Sequence, residues 1–231
     1  MELSSLHAAG LLAILGAFLY AVGDVLLLAG KASLNTYPKL KPYVELLSGA
    51  ERMAALSPAR LMWGALLGVF STPLVLLGFW QVYQGLGRDS SWATTATFGL
   101  FATASVIGAF VHGSFYYMGE YVHALNDAEQ SFQPVVARML ERHKRVMILT
   151  YGPLLIFIVT ASILFSVLVG SGGTYFPTWM AAINPVTMTM AWMLVKRILP
   201  QFIRDWTEGA GFNIAYLIFF ACTTITLWNL R

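Results

Sequence analysis

Residues 105–127 read SVIGAFVHGSFYYMGEYVHALND, a stretch that begins as an apolar helix and ends in ionisable residues. On a helix with about 100° between successive residues, seven polar or small residues fall within an arc of roughly 120°. They are Ser105, Gly108, His112, Tyr116, Glu120, His123 and Asp127. Because polar groups are costly in hydrocarbon unless they face protein or water, this polar stripe predicts a helix surrounded by other helices. We expect the helix to continue to at least His123.

The composition of the whole chain is typical of a membrane protein. Of its 231 residues, 58% are hydrophobic and 11% are charged, whereas soluble domains usually carry about 25% charged residues. The net charge of +3 is too small to indicate nucleic acid as a partner. The single cysteine, Cys222, excludes an intramolecular disulfide and an all-thiolate zinc site. We therefore predict a multi-pass integral protein of the cell membrane, with the lipid bilayer as its main partner.

Six apolar runs approach or reach the roughly 18–20 residues that a membrane-spanning helix needs. They lie at 8–29, 61–83, 92–117, 146–169, 178–195 and 211–228. The fifth run is interrupted by Asn184 and Pro185, which a span tolerates when neighbouring groups satisfy the freed carbonyl. The sequence thus predicts an all-α fold, a single domain over 1–231 that forms a bundle of six transmembrane helices.

The basic residues are divided unequally between the two sides of this predicted bundle. The connections after the first, third and fifth spans carry twelve of the fourteen lysines and arginines. Only Arg88 and Arg231 belong to the other side. Because cytoplasmic loops are enriched in Lys and Arg, we expect these three connections to be cytoplasmic and both chain termini to lie outside.

Polar residues from several predicted spans converge at one depth near the cytoplasmic side. At a rise of about 1.5 Å per residue, Asp24 lies about 10 Å inside the membrane, and His112 lies near the inner edge of the hydrocarbon. Asn213 opens the sixth span in the same layer. Ionisable residues inside a membrane usually have a functional role. The predicted catalytic residues are Asp24, His112, Tyr116, Glu120 and Asn213.

Asp24 and His112 could form a carboxylate-oriented imidazole, an arrangement used in acid–base and nucleophilic catalysis. An unpaired carboxylate at this depth is strongly disfavoured. We therefore predict that the two side chains are coupled, either directly or through one water molecule or tyrosine. The alternative is that each makes a structural hydrogen bond to another neighbour.

A second hypothesis concerns a metal ion at the polar end of the stripe. Glu120 and His123 have the ExxH spacing that occurs in metal sites of helical bundles. Glu120, His123 and Asp127, with a residue from another helix, could bind such an ion. The alternative interpretation is a solvated helix end, where glutamate and histidine are common. No other motif points to a cofactor.

Three functional hypotheses follow from these patterns, since the sequence contains no GxSxG, HExxH or HxxxH motif. The first is a membrane enzyme whose inner-leaflet polar pocket performs acid–base chemistry on an apolar or lipid-like molecule. The second is a transporter or channel in which Asp24 and His112 handle protons or a cation. The third is a non-catalytic membrane scaffold. A closed pocket that opens to lipid favours the enzyme, whereas a water path to the outer face favours transport.

Overall fold

The computed structural model describes residues 3–31, 33–87 and 91–228. These residues form helices and connecting turns, with no strand among them. The α-helices are α1 (Leu3–Leu28), α2 (Val44–Leu47), α3 (Pro58–Leu86), α4 (Trp92–Asp127), α5 (Gln133–Gly170), α6 (Pro185–Ile198), α7 (Gln201–Trp206) and α8 (Gly211–Trp228). Short 3-10 helices cover Pro38–Tyr43, Ala50–Ala55 and Thr178–Ala182. Arg88 and Arg231 lie outside the described residues.

Five helices in the described part of the chain are long and apolar enough to cross a membrane, namely α1, α3, α4, α5 and α8. The all-α class predicted from the sequence is therefore confirmed. All of these long helices except α8 extend beyond the apolar runs that predicted them, because backbone hydrogen bonds continue where side chains become polar. The expected continuation of the third span past His123 is also confirmed, since α4 ends at Asp127.

The fifth predicted span, 178–195, is not one continuous helix. It consists of the 3-10 helix Thr178–Ala182, a break, and α6. Asn184 begins α6 as its N-cap, and its side-chain oxygen accepts hydrogen bonds from the backbone N–H groups of Val186 and Thr187, both at 3.0 Å. With 14 residues, α6 is about 21 Å long, less than the roughly 30 Å of a hydrocarbon core.

Small residues let α1 and α3 pack closely at the level of the site. A Cβ atom on Gly23 would lie 2.7 Å from the carbonyl oxygen of Gly64, and a Cβ atom on Gly64 would lie 3.1 Å from the carbonyl oxygen of Gly23. The first contact is shorter than real Cβ atoms show, and the second would require a shift of a few tenths of an ångström. The two backbones therefore touch where α1 carries its buried carboxylate, Asp24.

A set of phenylalanines packs between the helices, farther from the end of α4 than His112 is. Phe79 of α3 stacks on Phe101 of α4 with ring centroids 4.4 Å apart, and Phe220 of α8 meets Phe79 edge-on at 5.1 Å. We call Phe79, Phe101, Phe165, Phe219 and Phe220 the aromatic layer. Each of these side chains is 1% exposed or less, so the layer is a fully packed part of the core.

The connections that carry most of the basic residues meet at one end of the bundle. Lys39 Nζ donates to the carbonyl oxygen of Ala128 at 3.1 Å, which links the α1–α3 connection to the turn after α4. Lys31 Nζ lies 2.5 Å from Asp205 Oδ2, which links the end of α1 to α7. We call this end, where α1 and α4 finish and α3 and α5 begin, the basic end.

Candidate functional site

The centre of the candidate site is a contact between Asp24 of α1 and His112 of α4. His112 Nε2 lies 3.2 Å from Asp24 Oδ1. Both residues are buried, with Asp24 7% and His112 5% exposed. The sequence analysis predicted that these two side chains interact, and the structure places them in direct contact. Their catalytic role remains a prediction.

Asn213 of α8 brings a third helix to the carboxylate. Its Nδ2 donates to Asp24 Oδ2 at 2.6 Å. On the other side of the ring, His112 Nδ1 lies 3.3 Å from the carbonyl oxygen of Ala65. A carbonyl oxygen only accepts hydrogen bonds, so this contact assigns a hydrogen to Nδ1. This places His112 Nε2 and Asp24 Oδ1 at a distance at which a buried imidazole and a buried carboxylate can share a proton.

Two neighbours hold the imidazole ring in place. A Cβ atom on Gly68 of α3 would lie 2.2 Å from His112 Nδ1, so only glycine leaves room for the ring. Tyr20 of α1 meets the ring edge-on with centroids 5.0 Å apart, and its hydroxyl shares a 2.7 Å hydrogen bond with Thr72 Oγ1. The sequence analysis missed Tyr20, although its i, i+4 spacing from Asp24 places both on one face of α1.

The residues of this site line a cavity of about 180 Å³, which we call the inner cavity. The polar part of its lining consists of the Asp24 carboxylate with its two partners and of several hydroxyl groups, while the remaining wall is apolar. The polar residues are Tyr20, Asp24, Ser105, His112, Tyr151, Asn213 and Tyr216. Apolar walls with a few convergent polar groups are characteristic of small-molecule sites.

A larger cavity of about 580 Å³ adjoins the inner cavity at the basic end, and we call it the outer cavity. The two cavities share Leu28, Phe115, Tyr151 and Gly209 as lining residues. The two cavities are therefore adjacent, and none of the aromatic-layer side chains lines either of them.

The polar stripe of α4 is divided between two sides of the helix. Ser105, Gly108 and His112 line the inner cavity, whereas Tyr116 lines a groove between α3 and α4. Around the helix axis, Phe115 lies about 60° from His112 on the side that also carries Gly108, whereas Tyr116 lies about 40° from His112 on the opposite side. Phe115 rather than Tyr116 therefore lines the inner cavity next to His112.

Two of the five predicted catalytic residues are therefore separated from the other three. The described residues that line the inner cavity include Asp24, His112 and Asn213 but neither Tyr116 nor Glu120. One carboxylate oxygen of Glu120 is buried and has no hydrogen-bond partner among the described residues. Asp24, His112 and Asn213 thus form a smaller cluster than the five residues that the sequence analysis grouped together.

The predicted metal ligands Glu120, His123 and Asp127 are not brought together. His123 Nε2 lies 3.0 Å from the carbonyl oxygen of Leu56, and Asp127 Oδ1 accepts a hydrogen bond from Asn126 Nδ2 at 3.0 Å. Across residues 3–31, 33–87 and 91–228, no three His, Cys, Asp or Glu side chains are grouped to hold a metal ion. Ligands that lie three to seven positions apart on one helix need a further ligand from another part of the protein to complete a metal site. Here the connection before α3 instead places the carbonyl oxygen of Leu56 against His123.

Comparisons of the chain with known proteins give a family but no characterised relative. Neither the curated proteins nor the solved structures contain a match to the chain. One family profile matches residues 1–229, a range that includes Asp24, His112 and Asn213. The chain therefore belongs to the family described as Family of unknown function (DUF6796).

Proposed function

We propose that this chain is a single-domain enzyme of the cell membrane whose inner cavity performs acid–base chemistry on an apolar or lipid-like molecule. One observation carries this proposal: the buried contact between Asp24 and His112 forms part of the wall of a cavity. Burying a carboxylate and an imidazole is costly, so a protein retains such a pair inside a membrane chiefly where it has a function.

The proposed enzyme crosses the membrane six times, and the broken segment 178–198 forms the fifth crossing. At its start, Ala181 accepts a hydrogen bond from Ser166 Oγ near the end of α5 at 2.6 Å. At its finish, Lys196 Nζ donates to Glu208 Oε2 at 2.8 Å, close to the basic end. The 3-10 helix and α6 together give about 30 Å of rise, which matches a hydrocarbon core.

In the proposed chemistry, Asp24 is the group that contacts the substrate and His112 is its proton partner. Each carboxylate oxygen has two acceptor positions. One position on Oδ1 faces His112, and one on Oδ2 accepts from Asn213. The remaining positions are free for a substrate in the inner cavity. His112 supplies or accepts the shared proton, and Asn213 fixes the orientation of the carboxylate.

The packing above the inner cavity favours an enzyme over a transporter. Transport needs a path that continues from Asp24 to the opposite end of the bundle. Tyr216, which lines the inner cavity, instead packs against Phe79 of the aromatic layer with ring centroids 5.6 Å apart. Large side chains with 1% exposure or less leave little room for water in this layer.

The proposal can be tested with full-length protein in liposomes made from the total lipids of its host. Lipids are extracted after incubation in H₂O or D₂O and compared by mass spectrometry, because reversible proton abstraction would introduce deuterium and bond cleavage would change the lipid masses. We expect the change with the wild-type protein and its loss in Asp24→Asn and His112→Gln. Thr223→Val, which alters a buried hydroxyl far along α8 from Asn213, is the matched control and should retain the activity.

The same liposomes distinguish the alternatives. A pH-sensitive dye trapped inside them reports proton movement. Proton flux that depends on Asp24 without any change in the lipids would replace the enzyme with a transporter. No lipid change and no flux in protein that remains folded would favour the scaffold.

A further inference from the structure

We propose that the outer cavity binds the headgroup of an anionic amphiphile, with Arg52 and Lys144 as its cationic contacts. This inference rests on the proposed function for the reaction itself. It adds the charge of the substrate and the direction from which the substrate enters. Its own content is a binding preference that can be measured without turnover.

Two cationic side chains line the outer cavity and keep hydrogen-bond donors available. Arg52 uses its Nε to donate to the carbonyl oxygen of Gly49 at 3.1 Å, which orients the guanidinium group. Lys144 Nζ donates to the carbonyl oxygen of Leu46 and, at 3.1 Å, to Ser48 Oγ. A guanidinium has five N–H donors and an ammonium has three. Both groups thus have donors left for a phosphate or carboxylate.

The charge balance of the outer cavity favours an anion. Glu208 is the acidic residue among the described residues that line it. Its carboxylate lies 2.8 Å from Lys196 Nζ, so a separate cation already compensates it. Among the described residues that line the cavity, no other carboxylate pairs with Arg52 or Lys144, and an anionic headgroup would neutralise them.

The rest of the wall suits an apolar chain. Met53, Met118 and Met147 line the outer cavity together with leucine and phenylalanine side chains. Methionine is unbranched and polarizable, so it adapts to flexible chains of varied shape. A cationic rim above a methionine-rich wall is complementary to a molecule with a charged head and a hydrocarbon tail.

The sizes of the two cavities fit one molecule that occupies both. Small-molecule sites usually measure about 300–1,000 Å³. The outer cavity, at about 580 Å³, falls in this range, whereas the inner cavity, at about 180 Å³, is smaller. Leu28 lines both cavities and lies one helical turn, about 6 Å, beyond Asp24 on α1. A headgroup held by Arg52 and Lys144 therefore directs the adjoining part of the molecule toward Asp24.

The test is native mass spectrometry of the full chain in detergent, titrated with either phosphatidylglycerol or phosphatidylcholine that carry the same acyl chains. We expect tighter binding of the anionic lipid to the wild-type protein. Arg52→Gln should reduce its affinity about tenfold, as expected for one lost charge-assisted hydrogen bond. Phosphatidylcholine binding should not change. Inorganic phosphate at millimolar concentration should not displace the lipid, whereas displacement would identify a free-phosphate site.

Two control variants separate local charge from general effects. Arg142→Gln removes an exposed positive charge on α5, two residues before Lys144, and should leave the preference for the anionic lipid intact. Arg52→Lys keeps the positive charge and should restore most of the preference, which would exclude a purely structural role for Arg52. Equal affinity of the wild-type protein for both lipids would overturn the inference, and so would an equal loss in Arg142→Gln.

A second pair of variants tests the cavity by filling it. A Cβ atom on Gly152, which lines the outer cavity, would have no heavy atom within 4 Å, and the same is true of Gly99 on α4. Both can therefore accept a larger side chain without a clash at Cβ. Gly152→Phe should abolish lipid binding, whereas Gly99→Phe should preserve it. Unchanged binding in folded Gly152→Phe would place the lipid elsewhere.

The outcomes separate this inference from the proposed function. If phosphatidylglycerol binding depends on Arg52 but no lipid change depends on Asp24, the binding site stands and the enzyme does not. If the lipid change depends on Asp24 but headgroup charge has no effect, the enzyme stands and the anionic substrate does not. Asp24→Asn, which keeps Arg52 and Lys144, should still bind the anionic lipid.

Discussion

At the scale of single residues, the contact between Asp24 and His112 has an energy that can be measured. Each side chain has a second partner, Asn213 for Asp24 and Ala65 for His112. Asp24→Asn and His112→Gln should therefore each destabilise the protein, because each leaves buried polar groups without their partners. In a double-mutant cycle on the free energy of unfolding in detergent, we expect a coupling of about 0.5–3 kcal/mol.

The control for this cycle pairs Asp24→Asn with Thr223→Val. Thr223 Oγ1 lies 3.4 Å from Gln81 Oε1 in a different part of the bundle. Separate sites without shared partners usually show additive effects to within about 0.5 kcal/mol. Additive effects for Asp24 and His112 would mean that their contact contributes nothing to the folded state.

A second prediction concerns the glycine that makes room for the ring. In Gly68→Ala, the new Cβ would overlap His112 Nδ1 at 2.2 Å, so the ring must move from Ala65 and Asp24. Overpacking of this kind typically costs about 1–3 kcal/mol. We expect a loss of that size in the free energy of unfolding, together with loss of the activity that depends on Asp24.

Gly99→Ala is the matched control for this substitution. Its Cβ would meet no heavy atom within 4 Å. Alanine is favoured over glycine in a helix by about 0.5–1 kcal/mol, so this variant should be at least as stable as the wild type. Equal behaviour of the two alanine variants would contradict the view that Gly68 accommodates the imidazole.

Sequence reasoning found part of this site because depth along a helix can be counted from the sequence. The rise per residue placed Asp24, His112 and Asn213 in one layer, and the structure joins them. It could not predict which side of α4 faces α1, because angular position depends on the neighbouring helices. Tyr116 and Glu120 belong to the same stripe as His112, yet they do not join it at the cavity.

At the scale of elements, hydropathy identifies apolar stretches of sequence, and the bounds of these stretches need not be the bounds of helices. α5 begins at Gln133, thirteen residues before the apolar run that predicted it, because polar residues can continue the helix outside hydrocarbon. The opposite occurs at 178–195, where an apolar run contains two helical pieces. The Asn184-Pro185 pair marked the break in the sequence, since asparagine favours an N-cap and proline the first turn of a helix.

A third prediction tests the cap at this break. Asn184 holds two backbone N–H groups of α6 and donates from Nδ2 to Ser166 Oγ of α5 at 3.0 Å. Asn184→Ala should lower the free energy of unfolding by about 0.5–2 kcal/mol, the usual cost of a lost cap. Asn184→Ser keeps a capping oxygen without a buried charge but loses the amide donor, so it should cost less than alanine.

The control for the cap is Asn35→Ala in the connection after α1. Asn35 is exposed, and exposed positions of this kind usually change stability by no more than about 0.5 kcal/mol. If Asn184→Ala were as mild as Asn35→Ala, the cap would not be what organises the start of α6.

At the scale of the whole molecule, basic residues that are distant in the sequence come together at one end of the bundle. Lys31 and Lys39 belong to the connection after α1, and Lys196 lies in the last turn of α6; each reaches a partner at the basic end. The unequal distribution of basic residues that is visible in the sequence thus becomes one charged end of a folded bundle. Because cytoplasmic loops of membrane proteins carry an excess of Lys and Arg, we expect the basic end in the cytoplasm.

The number of crossings gives the last prediction, because it decides whether the two chain termini share a side. If the segment 178–198 crosses the membrane, the chain crosses six times and both termini lie outside. If only α1, α3, α4, α5 and α8 cross, the termini lie on opposite sides. A reporter that is active only outside the cytoplasm, fused before Met1 in one protein and after Arg231 in another, should be active in both. The same reporter inserted after Asn35, in the exposed connection at the basic end, should be inactive. Activity at one terminus alone would leave five crossings, and α6 would then be a helix that enters the bundle without spanning the membrane.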